Sequence, residues 1–215
     1  MFSLSTISML DKGGAPALVL FAKSPVPSKV KTRLQPELNA DQAAQVAAQL
    51  IEQSVHLAVK AWPGPVWLYT WPNTDHELFR TLSERTRIRL GLQSTGDLGK
   101  KMTNAIGKFT VKKTAAAVMG CDVPHCPLVT LQLAGDLLEQ GRYVIGPSTD
   151  GGYYFIGLQQ CRPELFAGIE WGSGNVLEAT LAAAKNLNVD FYQLPALRDI
   201  DDFEDLKQGF PDYQL

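Results

Sequence analysis

What this sequence lacks narrows its function by exclusion. Its 20 basic and 22 acidic side chains leave a formal net charge of −2, which gives no support to general nucleic-acid binding or attraction to a membrane surface. No apolar run approaches the roughly 20 residues that span a bilayer. Met1 to Gly14 has no charged stretch followed by an apolar one, so no signal peptide is expected and a cytoplasmic location is. The three cysteines, Cys121, Cys126 and Cys161, cannot all pair and have no zinc-ligand spacing, so reduced thiols are the default. No repeat or low-complexity linker divides the chain. No Gly-x-x-x-x-Gly-Lys phosphate loop occurs, and no nucleophile stands beside a base. His56 falls in the middle of a helical stretch and His76 near a helix start. His125 alone is close to a candidate acid, and a lone histidine is more often structural than catalytic.

What remains is an ordinary globular composition, 45% hydrophobic and 20% charged over 215 residues. Residues 1–15 read as a flexible leader and 16–215 as one domain. Apolar runs near 17–22, 66–70, 87–93, 115–120, 143–146, 153–158 and 189–194 predict strands. Helices are expected from Asn39 or Asp41 to about Ala61, over 75–84, 98–109, 127–140 and 174–186, and from about Asp202. Alternating strands and helices imply a mostly parallel sheet covered on both faces, an α/β domain. The strands around Tyr143 and Tyr153 are too close in sequence for a helical crossover, which introduces an antiparallel element.

Four cations then fall within eleven residues, Lys23, Lys29, Lys31 and Arg33, starting where the first strand ends. Ligands of open α/β sheets bind outside the carboxyl ends of strands, and arginine forks with lysine point charges suit phosphate oxygens. Pro25 and Pro27 restrict the backbone that presents them. A solvated basic loop is the plain alternative.

Asp122 follows a strand of small apolar residues, where a carboxylate can hold a hard divalent cation against a pyrophosphate; the plainer and less favoured alternative is a cap on the following helix or turn. Asp150-Gly151-Gly152-Tyr153 reads either as a hairpin turn or as a loop whose exposed glycine amides and Asp150 meet a second substrate. The acidic run from Asp199 through Asp205 suits a helix N-terminus and could also supply a second metal carboxylate. Cys121 would have its thiolate disfavoured by Asp122, which argues against a nucleophilic cysteine.

Together Phe21 to Leu34, Gly96-Asp97-Leu98-Gly99, Gly120-Cys121-Asp122-Val123-Pro124, Asp150-Gly151-Gly152-Tyr153-Tyr154 and Asp199-Ile200-Asp201 resemble the DUF2064 family. That family is glycosyltransferase-like and lies in the nucleotide-diphospho-sugar transferase superfamily. The resemblance spans roughly residues 16–207. It implies the GT-A fold, a three-layer αβα arrangement with a mostly parallel sheet.

It also implies Mg2+ or Mn2+ as cofactor, with Asp122 matching the superfamily's metal-binding Asp and Asp201 a second ligand in related sugar cytidylyltransferases. The cationic segment is similar to one that faces the nucleotide in 2-phospholactate guanylyltransferases. By this resemblance Lys23, Lys29, Lys31, Arg33 and Asp97 are nucleotide-binding candidates, and Asp122 and Lys31 the catalytic ones. Cys121-Asp122-Val123-Pro124 departs from the usual Ser-Asp-Cys-Pro, and Asp202-Phe203 replaces Thr-Pro. Both changes leave the candidate ligands intact.

The implied partners are a nucleoside triphosphate or nucleotide sugar and a small-molecule acceptor. The expected function is a metal-dependent transferase with a nucleotide-activated donor. Glycosyl transfer is favoured by the family, and nucleotidyl transfer with pyrophosphate release by the charge of the loop. A nucleotide-binding sensor without catalysis is the reading from another class. Both reactions rest on positioning and electrostatics, which fits the missing nucleophile.

Overall fold

Ala17–Lys23 forms β1, buried along nearly its whole length, as an uninterrupted apolar run must be when helices cover both faces of a sheet. The computed structural model describes residues 14–209; the expected leader therefore lies, but for residues 14 and 15, outside the described residues. After β1 come α1 (Ala40–Ala61), β2 (Val66–Trp71), α2 (Glu77–Arg85), β3 (Arg89–Leu92), α3 (Leu98–Thr110) and β4 (Ala116–Gly120). Then follow α4 (Leu128–Glu139), β5 (Tyr143–Pro147), β6 (Tyr153–Leu158), α5 (Val176–Asn186), β7 (Phe191–Gln193) and α6 (Phe203–Gly209). Single 3-10 turns occupy Thr32–Leu34 and Pro163–Phe166.

The strands form one sheet in the order β3-β2-β1-β4-β6-β5-β7. Every pairing is parallel except those of β6, which runs antiparallel to both β4 and β5. Only five residues join β5 to β6, so a helical crossover is impossible and the hairpin expected from the sequence forms. Alternate side chains of β1 and β4 part to opposite faces. Leu18, Leu20, Ala117 and Met119 pack with α1, α2 and α4, whereas Ala17, Val19, Ala116 and Val118 pack with α3 and α5. The result is the three-layer αβα arrangement.

Helix ends follow local chemistry. Asn39 caps α1, its side chain accepting from the Gln42 backbone while Gln42 accepts from the Asn39 N–H, a reciprocal capping box. His76 caps α2 through Nδ1, so the helix expected from residue 75 begins at Glu77. At the far end of that helix, Thr86 Oγ1 accepts from the Ile88 N–H, which delays β3 to Arg89.

β1 has β2 on one side and β4 on the other. The chain leaves β1 toward β2 and β3, then returns through α3 to β4. Strand order thus reverses between β1 and β4, and the loops beyond their carboxyl ends diverge to open a crevice.

Candidate functional site

A cleft of about 390 Å³ opens at that reversal, lined by the cationic loop after β1 and by Asp122 and Asp201. Its floor is apolar, with Ala47, Leu50 and Ile51 of α1. Below it lies a small separate core in which Leu34 and Leu38 from the first loop meet Leu50, Ile200 and Leu206. This packing brings residues 31–33 beside residues 200–201 despite the length of chain between them.

The two acidic loops are tied through the backbone, the Ile200 N–H donating to the Asp122 carbonyl at 2.9 Å. Ser54, fully buried on α1, donates to the Cys121 carbonyl at 3.2 Å. It therefore holds the residue just before Asp122. Asp205, 7% exposed, accepts the backbone N–H groups of Asp201 and Asp202 at 3.0 and 3.1 Å and pairs with Arg198. Asp202 caps α6 in return, accepting from the Asp205 N–H at 2.9 Å. The acidic helix N-terminus expected from the sequence is thus present and it also presents Asp201 to the cleft.

Lys31 is the centre of the charge arrangement. Its Nζ lies 2.6 Å from Asp122 Oδ1 and 3.5 Å from Asp201 Oδ1, and donates to the Ile200 carbonyl. Arg33 reaches Asp201 Oδ2 at 3.1 Å. The side chains differ sharply in setting: Lys31 is 11% exposed and Arg33 76%. Burial works to lower the pKa of Lys31, but the charges and hydrogen bonds of Asp122 and Asp201 outweigh it and hold the ammonium above its ordinary value. Lys23 and Lys29 line the same cleft and are exposed.

Asp122 does not cap the following helix, since the N-cap of α4 is Pro127; its carboxylate faces Lys31 instead. Asp199, a member of the acidic run not singled out from the sequence, approaches the same place. Burial, then the charge of Asp122, pushes its pKa up to about 7, partly offset by a hydrogen bond from Ser148 Oγ at 3.1 Å. Asp150 and Asp201 add to the rise. Cys121 is buried, and burial before the charge of Asp122 raises its pKa far above the ordinary thiol range. The cysteine is an inert core thiol.

A second hollow of about 250 Å³ lies on the other side of Asp122, lined by Phe21, Leu98, Met102, Tyr153, Tyr154 and Asp199 among others. Tyr153 of the Asp-Gly-Gly-Tyr segment therefore faces this hollow. The glycine amides expected to meet a second substrate are engaged within the turn. Gly151 N–H donates to the Ser148 carbonyl at 3.3 Å and Gly152 N–H to Asp150 Oδ1 at 2.9 Å. Asp97 likewise has local work, capping α3 by accepting from the Lys100 N–H at 2.8 Å, while its neighbour Leu98 reaches the second hollow.

Asp122 and Asp201 converge on one cation, the Lys31 ammonium. Among the described residues no three His, Cys, Asp or Glu side chains gather as a metal cage, so the pair alone could supply at most the one or two carboxylates that magnesium takes beside phosphates. Sequence reasoning missed Ser54, and it took Asp199 and Asp205 only as members of an acidic run that could supply a second metal carboxylate. Ser54 left one signal: a hydroxyl among the apolar positions Leu50, Ile51, Val55 and Ala58 needs a buried partner.

The family described as "Uncharacterized protein conserved in bacteria (DUF2064)" matches residues 54–173. Among solved structures, the chain is similar to a protein from Desulfovibrio desulfuricans G20 provisionally described as a nucleotide-diphospho-sugar transferase. The two are 27% identical, with a TM-score of 0.81, over 90% of this chain and 85% of that one. It also resembles Rv0371c from Mycobacterium tuberculosis H37Rv, solved in complex with manganese, at 13% identity and TM-score 0.52 over 93% of this chain and 100% of that one. A 4-diphosphocytidyl-2C-methyl-D-erythritol synthase from Anaerococcus prevotii DSM 20548 matches at 10% identity and TM-score 0.57, over 92% and 95% of the two chains. These likenesses establish the fold of nucleotide-diphospho-sugar transferases. No curated protein matches the sequence significantly. Among the described residues no helix is long and apolar enough to cross a membrane.

Proposed function

This chain belongs to the DUF2064 family, and we propose that it is a metal-dependent transferase acting on a nucleotide-activated donor, with glycosyl transfer from a nucleotide sugar as its reaction. One observation carries the reading. Across a single cleft at the β1–β4 reversal, Lys29, Lys31 and Arg33 face Asp122 and Asp201. Cations and oxygen ligands gathered in one cleft, with Lys31 paired to Asp122 and Arg33 to Asp201, match the charges of a metal–phosphate complex.

In this reading Asp122 and Asp201 hold Mg2+ or Mn2+, which when bound would shield the phosphates and favour departure of the nucleoside diphosphate. Lys23, Lys29 and Arg33 bind phosphate oxygens, and Lys31 carries positive charge to the leaving group. Tyr153 and the second hollow receive the acceptor. The apolar floor of α1 excludes water beneath the phosphates, which strengthens every charge interaction above it. The transferase description of the Desulfovibrio protein supports donor chemistry of this class, and the manganese of Rv0371c supports a divalent ion in this fold.

Nucleotidyl transfer is the second reading, favoured by the density of cations on one loop, because a triphosphate carries more charge than a sugar diphosphate. Incubation with nucleoside triphosphates and nucleotide sugars, in Mg2+ or Mn2+ with a panel of acceptors, separates the two. Acceptor-dependent release of nucleoside diphosphate is expected; release of pyrophosphate instead assigns nucleotidyl transfer. Metal-dependent binding with no turnover across the panel would favour a sensor.

A further inference from the structure

The carboxylate pair assigned above to the divalent ion already holds a cation that belongs to the chain. The Lys31 ammonium is anchored three ways, to Asp122 Oδ1, to Asp201 Oδ1 and to the Ile200 carbonyl. Its backbone is left-handed, at φ 46° and ψ 42°, a conformation a non-glycine residue keeps only where its surroundings enforce it. Those surroundings are visible. Val30 packs with Ala44 and Ala47 of α1, and Leu34 is fully buried in the small core that also contains Ile200. Lys31 is therefore a built part of the site, in contrast to the exposed Arg33.

Asp201 takes Lys31 on one oxygen and Arg33 on the other, but a divalent ion and the Lys31 ammonium cannot both occupy Asp122 Oδ1. A magnesium-like ion on Asp122 would sit about 2.0–2.1 Å from its oxygen, and the ammonium is within hydrogen-bonding distance of Oδ1. Repulsion at such a separation is strong even with surface-like screening. For the ion to take Asp122 Oδ1, Lys31 must leave that oxygen, and a buried ammonium is best compensated by another anion. Among the described residues lining the cleft, Asp122 and Asp201 are the carboxylates, and nearby Asp199 faces the second hollow and accepts from Ser148. The anion therefore arrives with the ligand.

We propose, resting on the metal reading above, that Lys31 is the resident counter-ion of the Asp122–Asp201 pair. The site then takes a divalent cation together with a di- or triphosphate onto which Lys31 moves, and binds the free cation weakly. The exchange keeps charge balanced: the divalent ion replaces the ammonium between the carboxylates, and the ammonium joins Lys29 and Arg33 on the phosphate oxygens. Uptake of the metal and of the phosphate is cooperative for that reason.

Mn2+ binding to the full chain, followed by the electron paramagnetic resonance of the free ion, tests the exchange. With Mn2+ alone, Lys31→Met and Lys31→Gln should each bind about tenfold more tightly than the unaltered protein, and Lys31→Arg about equally. A misfolded variant cannot imitate a gain in affinity. Adding Asp122→Asn to Lys31→Met should remove the gain. Calorimetry with the preformed Mn2+ complex of inorganic tripolyphosphate should give the reverse ranking, the unaltered protein binding about tenfold more tightly than Lys31→Met. Unchanged or weaker Mn2+ binding in both neutral variants, with Asp122→Asn still abolishing binding, overturns the counter-ion and leaves the metal site standing. A gain that persists with Asp122→Asn overturns both assignments.

Discussion

Asp205 Oδ2 accepts the backbone N–H of Asp201 at 3.0 Å, so one buried carboxylate sets the position of another that faces the cleft. The same oxygen accepts from Asp202 at 3.1 Å, and Arg198 pairs with the group from the other side. Burial acts to raise the pKa of Asp205, but these hydrogen bonds and the Arg198 charge outweigh it and hold the carboxyl below its ordinary value. Asp205→Ala leaves two backbone donors and a cation without their partner, at a cost of about 1–3 kcal/mol. The expected outcome is a lower urea midpoint together with weakened Mn2+ binding. Asp205→Asn keeps one acceptor oxygen and should lose less of both.

Lys29 and Arg33 are exposed and line the cleft. Replacing both by alanine should weaken binding of inorganic tripolyphosphate by about tenfold or more, with little effect on the thermal transition, because exposed ion pairs such as Arg33–Asp201 add at most about 1 kcal/mol to stability. The binding loss should shrink as salt rises, through screening. Calorimetric titrations at low and high salt make the comparison; equal affinity for both proteins would remove the loop from phosphate binding.

Gly151 is required by space as well as by backbone angle. Its φ is +89°, and a Cβ there would stand 1.9 Å from the Gly174 carbonyl oxygen. Its own carbonyl accepts from the Leu177 N–H at 2.9 Å, next to the start of α5. Gly151→Ala should cost more than about 1 kcal/mol, seen as a drop in melting temperature. At Gly152 the nearest atom to a new Cβ is Asp150 Oδ1 at 3.2 Å, so Gly152→Ala should be milder.

His125 lines a hollow with Arg198 and Asp205, and burial lowers its pKa from the ordinary 6.5. As pH falls, the unfolded chain takes up this proton before the folded one does. The contribution of His125 to stability is thus present above about pH 6.5 and lost as pH falls through the lowered folded value. The side chain is exposed enough that the effect should be small. Urea midpoints at pH 5 and pH 7.5 should differ less in His125→Gln than in the unaltered protein.

The layers of this fold were readable because each rests on short-range patterns. The continuous apolar run of β1 signals burial on both faces, and five residues between β5 and β6 force a hairpin. The cationic segment at the end of β1 and Asp122 at the end of β4 could likewise be placed at strand ends, where such folds bind ligands. Asp97 and the Gly151–Gly152 amides were harder to read, since a helix cap and a tight turn use the same residues as a ligand loop. Their hydrogen bonds are local, yet only coordinates tell which acceptor each one finds.

By itself, then, the sequence determined the elements, their αβα layering and the two charged segments, because secondary structure follows from side-chain periodicity and chain length. Tertiary structure alone decided that Lys31 sits between Asp122 and Asp201, with Asp199 nearby carrying a raised pKa. That juxtaposition depends on Leu34, Leu50, Ile200 and Leu206 meeting in one small core. Contacts between such distant residues are set by how elements pack, and packing has no period along the chain.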